Sequence, residues 1–99
     1  MIHVEERHLN IIKAILEPYT AGMTIKAFGS RVKGTHHAHS DLDLAFIRSN
    51  AQPLSIQQWG ELKEAFSLSD LPWFVDVVCY ADSSDYFREV IDRDGVELT

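Results

Sequence analysis

The sequence predicts an α/β fold, a small mixed sheet with helices packed on one face and carboxylates on the face left open. Three observations lead there. Strand-like runs alternate with helical stripes in the order α, β, short α, β, α, β, α. The run Asp-Leu-Asp-Leu-Ala-Phe-Ile over 41–47 alternates with the strand period, so Asp41 and Asp43 share one face while Leu42, Leu44 and Phe46 share the other. Glycines and prolines punctuate the chain between those runs, with Gly60 the exception.

Taken in order, Val4, Leu9, Ile12, Ile15 and Leu16 form a helical stripe over 3–17 that Pro18 ends. Thr-Ile-Lys-Ala-Phe over 24–28 reads as a short strand stopping at Gly29, and Ser30 is placed to cap a brief helix over 31–33 before Gly34 stops it. The strand over 41–47 follows. A polar stretch with Pro53 then leads to Ser55-Ile56-Gln57-Gln58, which has the form of a capping box opening a helix to residue 67. Residues 69–72 make a turn and 73–80 a strand. Asp82, Ser83 and Ser84 cap a last helix over 85–93, closed by Gly95.

Chemistry concentrates between Gly29 and Asp43. A strand, a Gly-Ser turn and a helix start follow each other, leaving free backbone N–H groups that attract anions, and glycine lets a phosphate come close to the backbone. Ser30 adds a hydroxyl donor. Neither the P-loop ending Gly-Lys-Ser/Thr nor the three-glycine dinucleotide fingerprint is present. Two residues apart on a strand, the carboxylates of Asp41 and Asp43 start roughly 6–7 Å apart, close enough for the side chains to converge on one cation. Hard oxygen ligands favour Mg²⁺ or Mn²⁺, and Mg²⁺ usually takes one or two carboxylates together with substrate phosphate oxygens. The expected ligand is therefore phosphorylated.

Gly29-Ser30-Arg31-Val32-Lys33-Gly34 followed by Ser40-Asp41-Leu42-Asp43-Leu44 resembles the signature of the polymerase-beta-like nucleotidyltransferase superfamily, in its minimal branch. The tail over 87–98 resembles the closing helix and glycine turn of those short proteins, so the likeness spans nearly the whole chain. The resemblance implies a polymerase-beta-like palm core and a third carboxylate on a later strand, for which Asp76 in Phe-Val-Asp-Val-Val is the candidate. An aspartate inside so apolar a run is costly to bury unpaired, and a metal would account for it.

Within the minimal branch, the chain resembles the antitoxin half of two-gene systems whose other half is a helical HEPN-domain ribonuclease toxin. This implies transfer of AMP from ATP to a tyrosine hydroxyl of the toxin. Asp41, Asp43 and Asp76 would be the catalytic residues and hold two Mg²⁺ ions, or Mn²⁺ in their place. Gly29, Ser30, Arg31 and Ser40 would contact the nucleotide, with Gly29 and Ser30 at the β and γ phosphates. Two other classes compete, a non-catalytic module that blocks its partner by binding it and a nucleotide sensor. Three clustered acids favour catalysis over the first and do not separate enzyme from sensor.

Composition narrows the partners. At 99 residues the chain has room for a single domain, 1–99, burying somewhat over ~60% of its unfolded surface. The formal net charge is −6, from 15 acidic and 9 basic side chains, and the basic ones are scattered rather than clustered, which argues against a nucleic-acid polymer as main ligand. No apolar run approaches the roughly 18 residues of a membrane span, and the start lacks the basic and apolar regions of a signal peptide, so a cytoplasmic protein is expected. A sheet edge or helix face also leaves room for a homodimer. Lone Cys79 is expected to be a buried thiol. His36, His37 and His39 match no established zinc spacing and are read as lining the nucleotide entrance. Of the large aromatic side chains, Trp59 is expected to face a partner.

Overall fold

The computed structural model describes residues 2–19, 23–37, 40–48 and 54–98. Among the described residues four α-helices and four strands alternate: α1 (Glu6–Leu16), β1 (Met23–Phe28), α2 (Ser30–Lys33), β2 (Leu42–Arg48), α3 (Ile56–Ser67), β3 (Val75–Cys79), α4 (Asp85–Asp94) and β4 (Val96–Glu97). The sheet order is β3-β2-β1-β4. β1 runs antiparallel to β2 and β4, whereas β2 and β3 are parallel, joined by the crossover that carries α3. The sheet is therefore mixed, as predicted.

Strand alternation sorts the side chains into two layers. Ile25 and Ala27 of β1, Leu42, Leu44 and Phe46 of β2 and Val77 of β3 meet Ile12 and Leu16 of α1 and Leu62 and Phe66 of α3 in the main core. Ile12, Leu16, Ile25, Leu42, Leu44 and Leu62 are fully enclosed, and each such side chain contributes about 1.5–3 kcal/mol relative to exposure. The capping box of α3 is present as expected: the Gln58 N–H donates to Ser55 Oγ at 3.1 Å, and the Ser55 N–H donates to Gln58 Oε1 at 2.9 Å.

The opposite face carries a helix as well. Ile91 of α4 is fully buried with Phe28 and Ala45, which alternate away from the main core. The topology requires this. β3 and β4 lie at opposite edges of the sheet, so the helix joining them has to cross a face that α1 and α3 do not occupy. The two-residue β4 pairs Lys26 with Glu97 and Ala27 with Val96, and the Leu98 N–H reaches the Ile25 carbonyl at 2.8 Å. Gly95 allows the turn into β4 because a side chain there would strike the Ile91 carbonyl.

Several boundaries differ from those the sequence suggests. The first helix starts at Glu6 rather than residue 3, because the chain before it is drawn to α2, with the His3 N–H bonded to the Arg31 carbonyl at 2.7 Å. The third strand shortens to Val75–Cys79, and Tyr80–Asp82 form a 3₁₀ turn before Ser84 caps α4 by accepting from the Phe87 N–H at 3.3 Å. Cys79 is half-buried rather than enclosed. No helix among the described residues is long and apolar enough to cross a membrane.

Candidate active site

The register of the sheet assembles the acids. Asp43 pairs laterally with Asp76 across the parallel β2–β3 ladder, so their backbones are neighbours at about 4.8 Å and their side chains leave the sheet on the same face. Asp43 also pairs with Phe28 of β1, and the residue after Phe28 is Gly29. The Gly-Ser turn is thereby brought against the carboxylate. Gly29 has φ +85° and ψ −157°, a conformation open almost only to glycine, and a Cβ at this position would collide with Asp43 Oδ2. Two constraints thus require glycine here.

Asp43 is half-buried, while Asp41 and Asp76 are exposed. Burial, followed by the charges of Asp76 and Asp41, lifts the Asp43 pKa from 3.8 to about 6. Asp41 falls just before β2 instead of inside it, and the first β2 residue, Leu42, donates its N–H to the Phe74 carbonyl at 3.0 Å. Among the described residues no group of three or more His, Cys, Asp or Glu side chains is gathered to hold a metal ion. What the register does hold together is an Asp43–Asp76 pair made only of hard oxygen donors. This fits a cation such as Mg²⁺, which binds through one or two carboxylates plus phosphate oxygens and would relieve the repulsion that raises Asp43.

The remaining predicted site residues are placed less uniformly. Ser30 does not cap α2: Gly29 occupies the N-cap position without a side-chain bond, and Ser30 is the first helical residue. Gly34 ends the helix in the left-handed conformation at φ +79°. Arg31 is buried, with its guanidinium turned into the protein toward backbone carbonyls. The Ser40 hydroxyl accepts from the His37 N–H at 2.9 Å and so closes the loop before Asp41. Lys33 pairs with Asp94 of α4 at 3.4 Å.

His39 lies outside the described residues. His36 is half-buried beside His3, ring centroids 5.4 Å apart, and its Nδ1 has no hydrogen-bond partner among the described residues. Burial, with the charges of Arg31, His3 and His37 behind it, lowers its pKa. Trp59, expected to face a partner, is half-buried and packs on Phe46 with centroids 5.2 Å apart. The aromatic side chains left open are Phe74, 78% exposed and two residues before Asp76, and Tyr86 and Phe87 at the start of α4. Trp73 and Phe74 divide one buried, one exposed, an alternation the sequence contains but does not orient.

Residues 10–99 match the family described as polymerase beta, nucleotidyltransferase. The chain belongs to the polymerase beta nucleotidyltransferase family. It is 47% identical over 92 residues to the probable protein adenylyltransferase MntA of Haemophilus influenzae, an alignment spanning 93% of this chain and 79% of that protein. It resembles a toxin–antitoxin crystal structure with AMP-PNP, at a TM-score of 0.74 and 28% identity, over 92% of this chain and 72% of the other. The fold is also that of a chain in the complex of a tri-AMPylated Shewanella oneidensis HEPN toxin with its MNT antitoxin, with a TM-score of 0.66, 21% identity, and 97% and 72% of the two chains covered.

Proposed function

We propose that this chain is a metal-dependent adenylyltransferase that moves AMP from ATP to a hydroxyl, a tyrosine in our reading, of a helical HEPN-type ribonuclease toxin encoded beside it, and so acts as the antitoxin in the cytoplasm. The observation that carries the reading is the wedge of Asp43 between Asp76 and the Gly29 backbone, which joins a carboxylate pair to a turn able to admit a phosphate. Support also comes from the 47% identical relative named a probable protein adenylyltransferase and the 28% identical toxin–antitoxin structure with AMP-PNP.

In this scheme the Gly29 backbone and the Ser30 hydroxyl hold the β and γ phosphates, and Asp41, Asp43 and Asp76 would hold Mg²⁺ or Mn²⁺. Bound there, the metal would supply charge neutralisation at the α phosphate and on the departing pyrophosphate. The phenolic oxygen forms a bond to the α phosphorus as the bond to pyrophosphate breaks. Its proton is taken by Asp76, the exposed carboxylate open to an incoming acceptor. A free tyrosine titrates at about 10 and the acids alone would hold it higher, so the hydroxyl's pKa has to be lowered by the cation they would hold for Asp76 to accept the proton.

ATP labelled on the α phosphate, incubated with Mg²⁺, this chain and the protein encoded next to it, tests the proposal. Label retained on the neighbour and lost with Asp41→Asn supports it. A stable complex of the two proteins without label would replace it with inhibition by binding alone.

A further inference from the structure

Arg31 is the one charged residue among the described residues that is buried, 5% exposed. Its Nε donates to the Ser40 carbonyl at 2.9 Å, Nη1 to the His3 carbonyl at 3.2 Å and Nη2 to the His37 carbonyl at 3.5 Å. The guanidinium carbon lies 4.4 Å from the centroid of the Trp73 ring, and the Arg31 carbonyl accepts the His3 N–H. A buried guanidinium is costly unless its planar fork is matched by acceptors and a ring face, and here it has both. Groups committed in this way are not available to a triphosphate.

What those bonds hold is informative. Ser40 directly precedes Asp41, and Leu42 directly follows it, anchored to the Phe74 carbonyl. Asp41 is therefore suspended between two fixed points, one of them set by Arg31. Arg31 itself belongs to the helix that begins at Ser30, next to the Gly29 turn. We infer that Arg31 is a positioning residue, which sets Asp41 at a fixed distance from the Gly29–Ser30 turn by holding the Ser40 carbonyl, and that it is not a phosphate ligand. This rests on the adenylyl-transfer reading above. It reassigns to scaffolding a residue whose charge and place in the motif suggest nucleotide contact.

The test is Arg31→Lys in the full chain, assayed with its neighbour-encoded partner. A lysine keeps the charge and cannot span carbonyls in two directions while lying flat on Trp73. The kcat for AMP transfer is expected to fall about 10–100-fold, because a small misplacement of a reacting group is sufficient for such a loss. The affinity for Mg-ATP, measured by calorimetry, should stay within about 3-fold, since no phosphate contact is removed. Amide hydrogen exchange should quicken at residues 40–42 and stay unchanged in α3 and β1. Guanidinium added to Arg31→Ala should restore part of kcat. ATP affinity falling in step with kcat, or exchange at 40–42 equal to wild type, would overturn the inference.

Should Arg31→Lys fail to fold, Trp73→Phe loosens the same stack and should give the same pattern at about 2–5-fold. Unchanged exchange at 40–42 in that variant counts equally against the idea. If the wild-type chain binds ATP but transfers nothing, the adenylyl-transfer reading fails by itself, and exchange and ATP affinity still decide the role of Arg31.

Discussion

Replacing Asp43 with asparagine should make the metal-free protein more stable while removing its activity. In the fold this carboxyl is lifted from 3.8 to about 6 by burial and then by Asp76 and Asp41. Below the lower value it is protonated whether the chain is folded or not. Between the two values the folded state keeps a proton that the unfolded state has lost, so stability declines as pH rises through that window and stays reduced above it. At 1.36 kcal/mol per unit the shift would correspond to about 3 kcal/mol, and because Asp43 is only half-buried solvent screening reduces the penalty to about 1–2 kcal/mol. Asparagine removes the charge and is close in shape to the protonated carboxyl, so a net gain of about 1–2 kcal/mol is expected. For a domain of this size that raises the melting temperature by roughly 4–16 °C. Urea or thermal denaturation with EDTA, at about pH 8 and again near pH 4, measures it. The variant should be the more stable at the higher pH and indistinguishable from wild type at the lower. An Asp43→Asn protein no more stable than wild type at pH 8, or a gap that persists in acid, would refute the account of Asp43 as a carboxylate destabilised by burial and then by its acidic neighbours.

Other outcomes follow from the same geometry. Adding Mg²⁺ at pH 8 should stabilise wild type and narrow its gap to Asp43→Asn, read as a metal-dependent shift in melting temperature for wild type alone. Gly29→Ala puts a side chain into Asp43 Oδ2 in a conformation open almost only to glycine, so it should lower stability by about 1–3 kcal/mol and reduce AMP transfer about 100-fold or more in the labelled-ATP assay. Ile91→Ala empties the small core between α4 and the sheet and should cost about 2–5 kcal/mol in urea denaturation. Ser55→Ala breaks the capping box of α3, at about 1 kcal/mol by the same measurement, and should leave transfer unchanged because that helix end is remote from the acids in the chain and lies over the other face.

Much of this protein was legible before any coordinates. Local rules are enough for α3, whose start is written in Ser55 and Gln58, and for β2, whose alternation separates Leu42, Leu44 and Phe46 from Asp43. The family signature, with glycine at 29 and 34 and acids at 41 and 43, is likewise a property of short-range spacing. Side-chain environments were not legible, because they depend on partners distant along the chain. Arg31 looked like a cation free to meet phosphate. It becomes a buried clamp only because Trp73, 42 positions on, and the carbonyls of His3 and Ser40 converge on it. Trp59 packs on Phe46 while Phe74 is left open for the same reason, since exposure is set by what packs above a face. The placement of α4 had no local signal either: β4 is two residues long, too short to stand out as a strand, yet its pairing with β1 at the far edge obliges the helix to cross the carboxylate face. The contact of Gly29 with Asp43 is likewise a consequence of register. Fourteen positions separate the two residues, and only the pairing of Phe28 with Asp43 brings that backbone against that carboxylate. Residue types and spacing therefore determined which chemistry this chain carries, while the tertiary structure decided which groups are held together to perform it, because contacts between distant segments exist only once the sheet has chosen its register.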